Sequence, residues 1–180
     1  MLLTELSLSG CYLLQPRVFE DSRGSFVKPL VHSVLQANGL RSDFVEQYYS
    51  TSVPGVIRGM HFQVPPHHHA KLVYCAAGAV TDVLLDVRVG SQTYGQYVSL
   101  SLTSASGHAL YIAAGIAHGF IATEAPALLI YNVTSEYAPN HDSGVRWDSF
   151  GYKWPVEKPV ISERDRSFSE LAVFQSPFQL

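Results

Sequence analysis

Short apolar runs rich in Val, Ile, Leu and Tyr recur along this chain between clusters of Gly, Pro, Ser and Asn. Runs of that length, repeated with turn residues between them, read as the strands of an all-β sandwich or barrel. The pattern predicts strands over 10–15, 25–28, 44–51, 56–62, 71–77, 80–87, 95–102, 109–112, 119–122 and 128–135. That number suffices for two facing sheets. Only 33–38, with a turn near 162–166, has helical character, and neither segment is long enough to form a layer of its own. No repeat, low-complexity tract or linker divides the chain, so a single domain over 1–180 is expected. The Pro-containing stretch after Trp154 and Pro155, about 155–180, is expected to wrap the outside rather than pair within a sheet.

Composition sharpens this picture. With 47% hydrophobic residues in 180, the chain buries a real core, while only 15% charged and 12% aromatic residues leave sparse polar covering, so part of the surface is expected between subunits. Twelve basic against 15 acidic residues, a net charge of −3 and no basic run exclude a broad field for nucleic acid or an anionic bilayer. Any phosphate must therefore be met locally. Cys11 and Cys75 lie far apart without a CxxC pattern and read as two buried thiols in a reducing compartment. The N-terminus has no basic n-region and carries Glu5 within its apolar stretch, unlike a signal peptide, and no apolar run reaches spanning length. A cytoplasmic protein, with no membrane partner, is expected.

Three clusters carry candidate chemistry. In the segment Val56 to Gln63, Arg58 and His61 flank Gly59. Residues three apart on an alternating strand face opposite sides, and a bend at Gly59 would restore a shared face; otherwise His61 is an ordinary part-buried strand histidine. The run His67-His68-His69 after Pro65 and Pro66 invites a metal reading, since neutral imidazole is a common ligand, and reads equally as an exposed loop, since consecutive histidines cannot all face one ion. The third cluster, Ala114 to Phe120, is a Gly-punctuated turn between apolar strands with His118 at its exit.

This third cluster resembles the second motif of the cupin barrels, which often hold a metal with two His and a Glu from a first motif and a His from the second. Lys71 stands where that Glu would lie, and a cation there repels a divalent ion. A wider set falls in order: Phe19 to Phe26 around Arg23, Arg58 to Gln63, Lys71 to Val73, Asp86 to Arg88 with Ser91 to Gly95, Gly115 to Phe120, Tyr131, Tyr137 to Pro139, Trp147, Trp154-Pro155 and Ser162 to Asp165. Together these resemble the dTDP-4-dehydrorhamnose 3,5-epimerase family, a metal-independent, cupin-like group, from about Phe19 to Asp165.

The resemblance implies an all-β, cupin-like jelly-roll barrel or sandwich with a few short helices. It implies an isomerase that inverts C3, C5 or both beside the ketone of a nucleotide-diphosphate-linked 4-keto-6-deoxyhexose, with no metal and no cofactor. A homodimer joined through an N-terminal arm, about 1–28, is implied as well. Such chemistry needs removal of a C–H proton, shelter for the enolate oxygen and return of a proton to the opposite face. On the family's pattern His61 is the base, Asp165 the carboxylate that orients it and raises its basicity, and Tyr131 the acid across the sugar ring. Lys71 is the cation beside the enolate oxygen, worth about 3 kcal/mol by comparison with an oxyanion donor. Arg23 and Arg58 correspond to phosphate and substrate contacts, where a guanidinium fork suits a pyrophosphate. His118 corresponds to a neighbouring pocket residue, Phe19 and Tyr137 to aromatics that hold the nucleotide, and Gln47, Lys28 and Asp142 to further substrate-binding positions.

Departures from the family concern the handle rather than the proton transfers. Tyr48 stands where an Asn helps bind the diphosphate, Lys28 replaces a Glu near the base, Ala113 replaces a Pro, and Asp142 is the shorter acid. They leave thymidine, cytidine and guanosine nucleotides open, with dTDP-4-dehydro-6-deoxyglucose the leading substrate. The competing readings are a metal-dependent cupin dioxygenase or isomerase using His61, His67 or His69, and His118; a 3,4-ketoisomerase on the same scaffold; and a non-catalytic sugar-binding module.

Overall fold

The computed structural model describes residues 1–180, the side chain of Ala125 excepted. Its strands are β1 (Leu2–Glu5), β2 (Tyr12–Gln15), β3 (Val18–Asp21), β4 (Gly24–Val27), β5 (Glu46–Ser52), β6 (Ile57–Gln63), β7 (Lys71–Asp86), β8 (Tyr97–Thr103), β9 (Ala109–Ile112), β10 (Ile116–Val133) and β11 (Asp142–Gly144). Two short helices, α1 (His32–Ala37) and α2 (Glu163–Ser167), complete it.

The two strands expected over 71–77 and 80–87 are one long strand, β7, and those over 119–122 and 128–135 are one long strand, β10. Gly78 lets β7 bend without ending: its φ is +72°, and an added Cβ would meet the Pro126 carbonyl at 2.9 Å. Strand β10 answers with register shifts between Ala122 and Leu129. The bend changes strand parity, so Val73 and Cys75 before it and Val80 and Leu84 after it face one core. Apolar periodicity also passed over β1, β3 and β11. Strand β3 ends on two acids and β11 is Asp-Ser-Gly, so pairing rather than hydrophobicity makes them strands.

The bends fold the ladder into two facing layers. One runs β1-β2-β9, then the first half of β7, the second half of β10, and β5. The other runs β8, the second half of β7, the first half of β10, β6 and β11. The ladder does not close, so this is the sandwich form of a jelly roll. Between the layers lies the cluster around Leu84, Leu110, Phe120 and Leu129. Helix α1 covers the outer face of the first layer by packing Leu35 on Leu14, Leu72 and Tyr111. The segment from Val145 onward covers the outer face of the second, setting Phe150, Trp154 and Phe178 against Val83, Leu85 and Ile121. Among the described residues strands β3 and β4 pair only with each other and form a projecting hairpin.

Candidate active site

A cavity of about 820 Å³ opens between the layers, walled by β5, β6, β10, the start of β7 and α2. Strand β6 brings both Arg58 and His61 to it, although they lie three apart. The reason is a register shift against β10 between His118 and Phe120, centred on Gly59 and Gly119. Gly59 has φ +147°, and a Cβ there would stand 2.6 Å from the Gly119 Cα, so the two backbones approach as only glycines allow. Beyond the irregularity His61 and His118 are direct cross-strand partners.

His61 is half-buried and its Nε2 lies 2.8 Å from Asp165 Oδ1, a pair 104 residues apart in the chain. Asp165 is positioned from α2, whose N-cap Ser162 accepts from the Asp165 N–H at 3.1 Å. Its other oxygen accepts from the Gly59 N–H at 3.1 Å. Burial alone would raise the Asp165 carboxyl, but the hydrogen bonds from His61, Gly59 and Ser162 outweigh it and hold the group below the usual carboxylate range. The ionised carboxylate accepts, so Nε2 carries the imidazole proton and Nδ1 keeps the lone pair. The expected rise in His61 basicity is not what results. Burial lowers the imidazole's pKa by more than Asp165 raises it, leaving it below the ordinary histidine value.

Lys71 opens β7 and is buried at 5% exposure, its ammonium donating to the His61 carbonyl at 3.1 Å. Among the described residues no carboxylate lies within ion-pair distance of it, and burial pushes its pKa down to about 8. Tyr131 lies in β10 at 6% exposure, and burial holds its phenol well above the usual tyrosine range, hence protonated. His118 reaches the same cavity and pairs through Nε2 with Asp82 Oδ1. Asp82 is fully buried, and its second oxygen has no hydrogen-bond partner among the described residues. The cavity thus gathers a proton acceptor, a protonated phenol and an unpaired cation, the parts required to move a proton at carbon beside a carbonyl.

Residues 5–172 match the family described as dTDP-4-dehydrorhamnose 3,5-epimerase. The chain belongs to that family. It is 39% identical to the dTDP-4-dehydrorhamnose 3,5-epimerase of Sinorhizobium fredii over 99% of this chain and 94% of the relative. Among solved structures it is similar to a 4-keto-6-deoxy sugar epimerase from the novobiocin biosynthetic gene cluster of Streptomyces spheroides, with TM-score 0.92 and 36% identity over 96% of this chain and 88% of that one. It is equally similar in shape to a Legionella pneumophila dTDP-6-deoxy-D-glucose-3,5-epimerase in complex with dTDP-4-keto-L-rhamnose, with TM-score 0.92 and 28% identity over 98% and 97%.

Of the residues that the resemblance to the epimerase family singles out, His61, Lys71, Tyr131, Asp165, Arg58, His118, Tyr137 and Asp142 line this one cavity. Arg58 is steadied by Ser52 Oγ at 3.0 Å, and Asp142 pairs with Arg164 at 2.7 Å. Phe19, Arg23, Lys28 and Gln47 do not line it. The first three belong to the projecting hairpin and its exit, with Phe19 half exposed and Arg23 paired to Asp21. Gln47 fails on parity: Glu46, Tyr48 and Ser50 of β5 face the cavity, so Gln47 faces away and donates to Asn132 Oδ1 at 2.7 Å. The histidine run diverges. His67 packs on His141, His68 is exposed and His69 lines the cavity, and among the described residues no three His, Cys, Asp or Glu side chains group as a metal site.

Sequence reasoning about the epimerase family missed Asp82, Ser50 and Arg164. Asp82 left one signal, an acid on the same face as Val80 and Leu84 in the apolar run Val80 to Val87, which it shares with Asp86. Arg164 lay inside the Ser162 to Asp165 motif without being singled out, and the importance of Ser50 lies in what it touches.

Proposed function

We propose that this chain is a nucleotide-sugar epimerase that inverts the carbon next to the ketone of a nucleotide-linked 4-keto-6-deoxyhexose, with dTDP-4-dehydro-6-deoxyglucose its leading substrate. The observation that carries the reading is the His61–Asp165 pair sharing a cavity with Tyr131 and an unpaired Lys71. His61 takes the C–H proton, with Asp165 fixing the tautomer and balancing the imidazolium that forms. The enolate oxygen takes its counter-charge from Lys71, and His118 borders the same space. Tyr131, kept neutral by burial, returns a proton to the opposite face. Arg58 and Tyr137 contact the nucleotide diphosphate at the cavity's rim, and Asp142 orients Arg164 there.

The proposal extends to a homodimer in the cytoplasm. The hairpin carries Phe19 and Phe26 on its surface at 47% and 58% exposure, with Arg23 and Lys28 outside the chain's own cavity. In a two-fold pair those residues enter the neighbouring subunit's cavity and complete its hold on the phosphates. The two free, buried cysteines suit a reducing compartment.

Deuterium wash-in tests the chemistry. With dTDP-4-dehydro-6-deoxyglucose in D2O, NMR should show deuterium at the inverted carbon, and His61→Ala should lower both exchange and turnover by about 10²–10⁴-fold while nucleotide binding persists. Product formed without deuterium, or a carbonyl moved to C3, overturns the reading.

A further inference from the structure

The phenol assigned to proton return is held from one strand. Tyr48 of β5 is the direct cross-strand partner of Tyr131, and the two rings stack with centroids 4.7 Å apart and planes 15° from parallel. Two residues on, and so on the same face, Ser50 Oγ lies 3.2 Å from the Tyr131 hydroxyl. His118 meets the Tyr131 ring edge-on from another side, with centroids 6.0 Å apart. Tyr131 is therefore restrained across its face, along its edge and at its oxygen.

We propose that Tyr48 and Ser50 are positioning residues for the Tyr131 proton, governing how often an abstracted proton is replaced on the opposite face rather than returned to the face it left; this rests on the epimerase reading above. An aromatic stack of this kind favours the stacked orientation by about two- to tenfold. That orientation keeps the hydroxyl on Ser50. Once Tyr131 has given up its proton, the buried phenolate has the Ser50 hydroxyl as a donor in place, and Ser50, less deeply buried than Tyr131, links it to the open cavity. The Tyr48 hydroxyl makes no hydrogen bond among the described residues, so its contribution is the ring. Burial pushes that phenol up to about 12, so it adds no charge to the cavity near neutral pH.

The test is a partition measured in D2O: inverted product formed against deuterium returned to recovered, uninverted substrate. Tyr48→Asn and Ser50→Ala should each lower the ratio of inversion to exchange by about three- to tenfold, with exchange itself within about twofold of the parent. Tyr48→Phe keeps the ring and should keep the ratio. A merely structural role would lower exchange and inversion together and leave the ratio unmoved, which overturns the proposal; so does a Tyr48→Phe ratio that falls as far as that of Tyr48→Asn. If Tyr48→Asn does not fold, Ser50→Ala, which deletes a single oxygen, decides by itself. The parent protein separates the two levels: product without any deuterium defeats the epimerase reading, whereas normal deuterium entry with unchanged ratios in the variants defeats only the positioning role.

Discussion

Lys71, the cation proposed to face the enolate oxygen, carries a cost in stability. Its ammonium is buried without a carboxylate partner, and its pKa in the folded protein, about 8, lies below the 10.5 of the free side chain. Between those values the unfolded chain binds the proton that the folded one releases, so stability rises with pH across that window. Below about pH 8 the buried charge costs about 3 kcal/mol. Lys71→Met should therefore unfold at higher urea concentration than the parent at pH 7, with an unfolding free energy greater by up to about 3 kcal/mol, while turnover falls about 10²-fold or more. Activity of the parent should decline as pH rises through about 8, where the ammonium is lost. On the acid side, burial lowers His61, so the neutral base survives below pH 6.5 and the rate should hold there. A Lys71→Met protein no more stable than the parent would mean that the charge is solvated.

At the scale of elements, the site depends on where strands depart from regularity. The Gly59–Gly119 crossing of β6 and β10 aligns Arg58 with His61 and hands the Gly59 N–H to Asp165. Gly59→Ala would force a Cβ to within 2.6 Å of the Gly119 Cα at a φ of +147°. It should lower the thermal midpoint by the equivalent of about 1–3 kcal/mol or more and turnover at least tenfold. Gly151→Ala is the control, since its φ is +85° but open space surrounds it, and it should cost only about 1–2 kcal/mol with turnover unchanged. Equal loss of activity in both would remove the crossing from the site's construction. These departures were partly legible. The Arg58-Gly59-Met60-His61 spacing admits a bend and equally an ordinary strand histidine, and the bend in β7 at Gly78 looks like a gap between two strands, because Ala77-Gly78 interrupts the apolar alternation without saying whether pairing continues. Strand β5 was legible as a strand but not as a face, so Gln47 entered the expected site and Ser50 did not.

Considered whole, the molecule keeps the residues proposed for proton transfer in one cavity and displays Phe19, Arg23 and Lys28 on or beside a hairpin that pairs with no other strand among the described residues. The proposed dimer makes a quantitative prediction. Arg23→Ala and His61→Ala proteins, each weak alone, should recover activity when co-expressed: half the dimers are then mixed, and in each of those one cavity has both its own His61 and the neighbour's Arg23, about a quarter of all cavities. No recovery would place Arg23 outside the neighbouring cavity. The β class, the short helices and the family were readable from the chain, because apolar periodicity and ordered motifs are local properties that survive without coordinates. Which side chains meet was decided only by folding. His61 and Asp165 touch across 104 residues, Asp82 reaches His118, and Tyr48 lies on Tyr131. The net basicity of His61 likewise emerged from burial set against a carboxylate, two opposing effects whose balance depends on how much solvent the packed layers exclude.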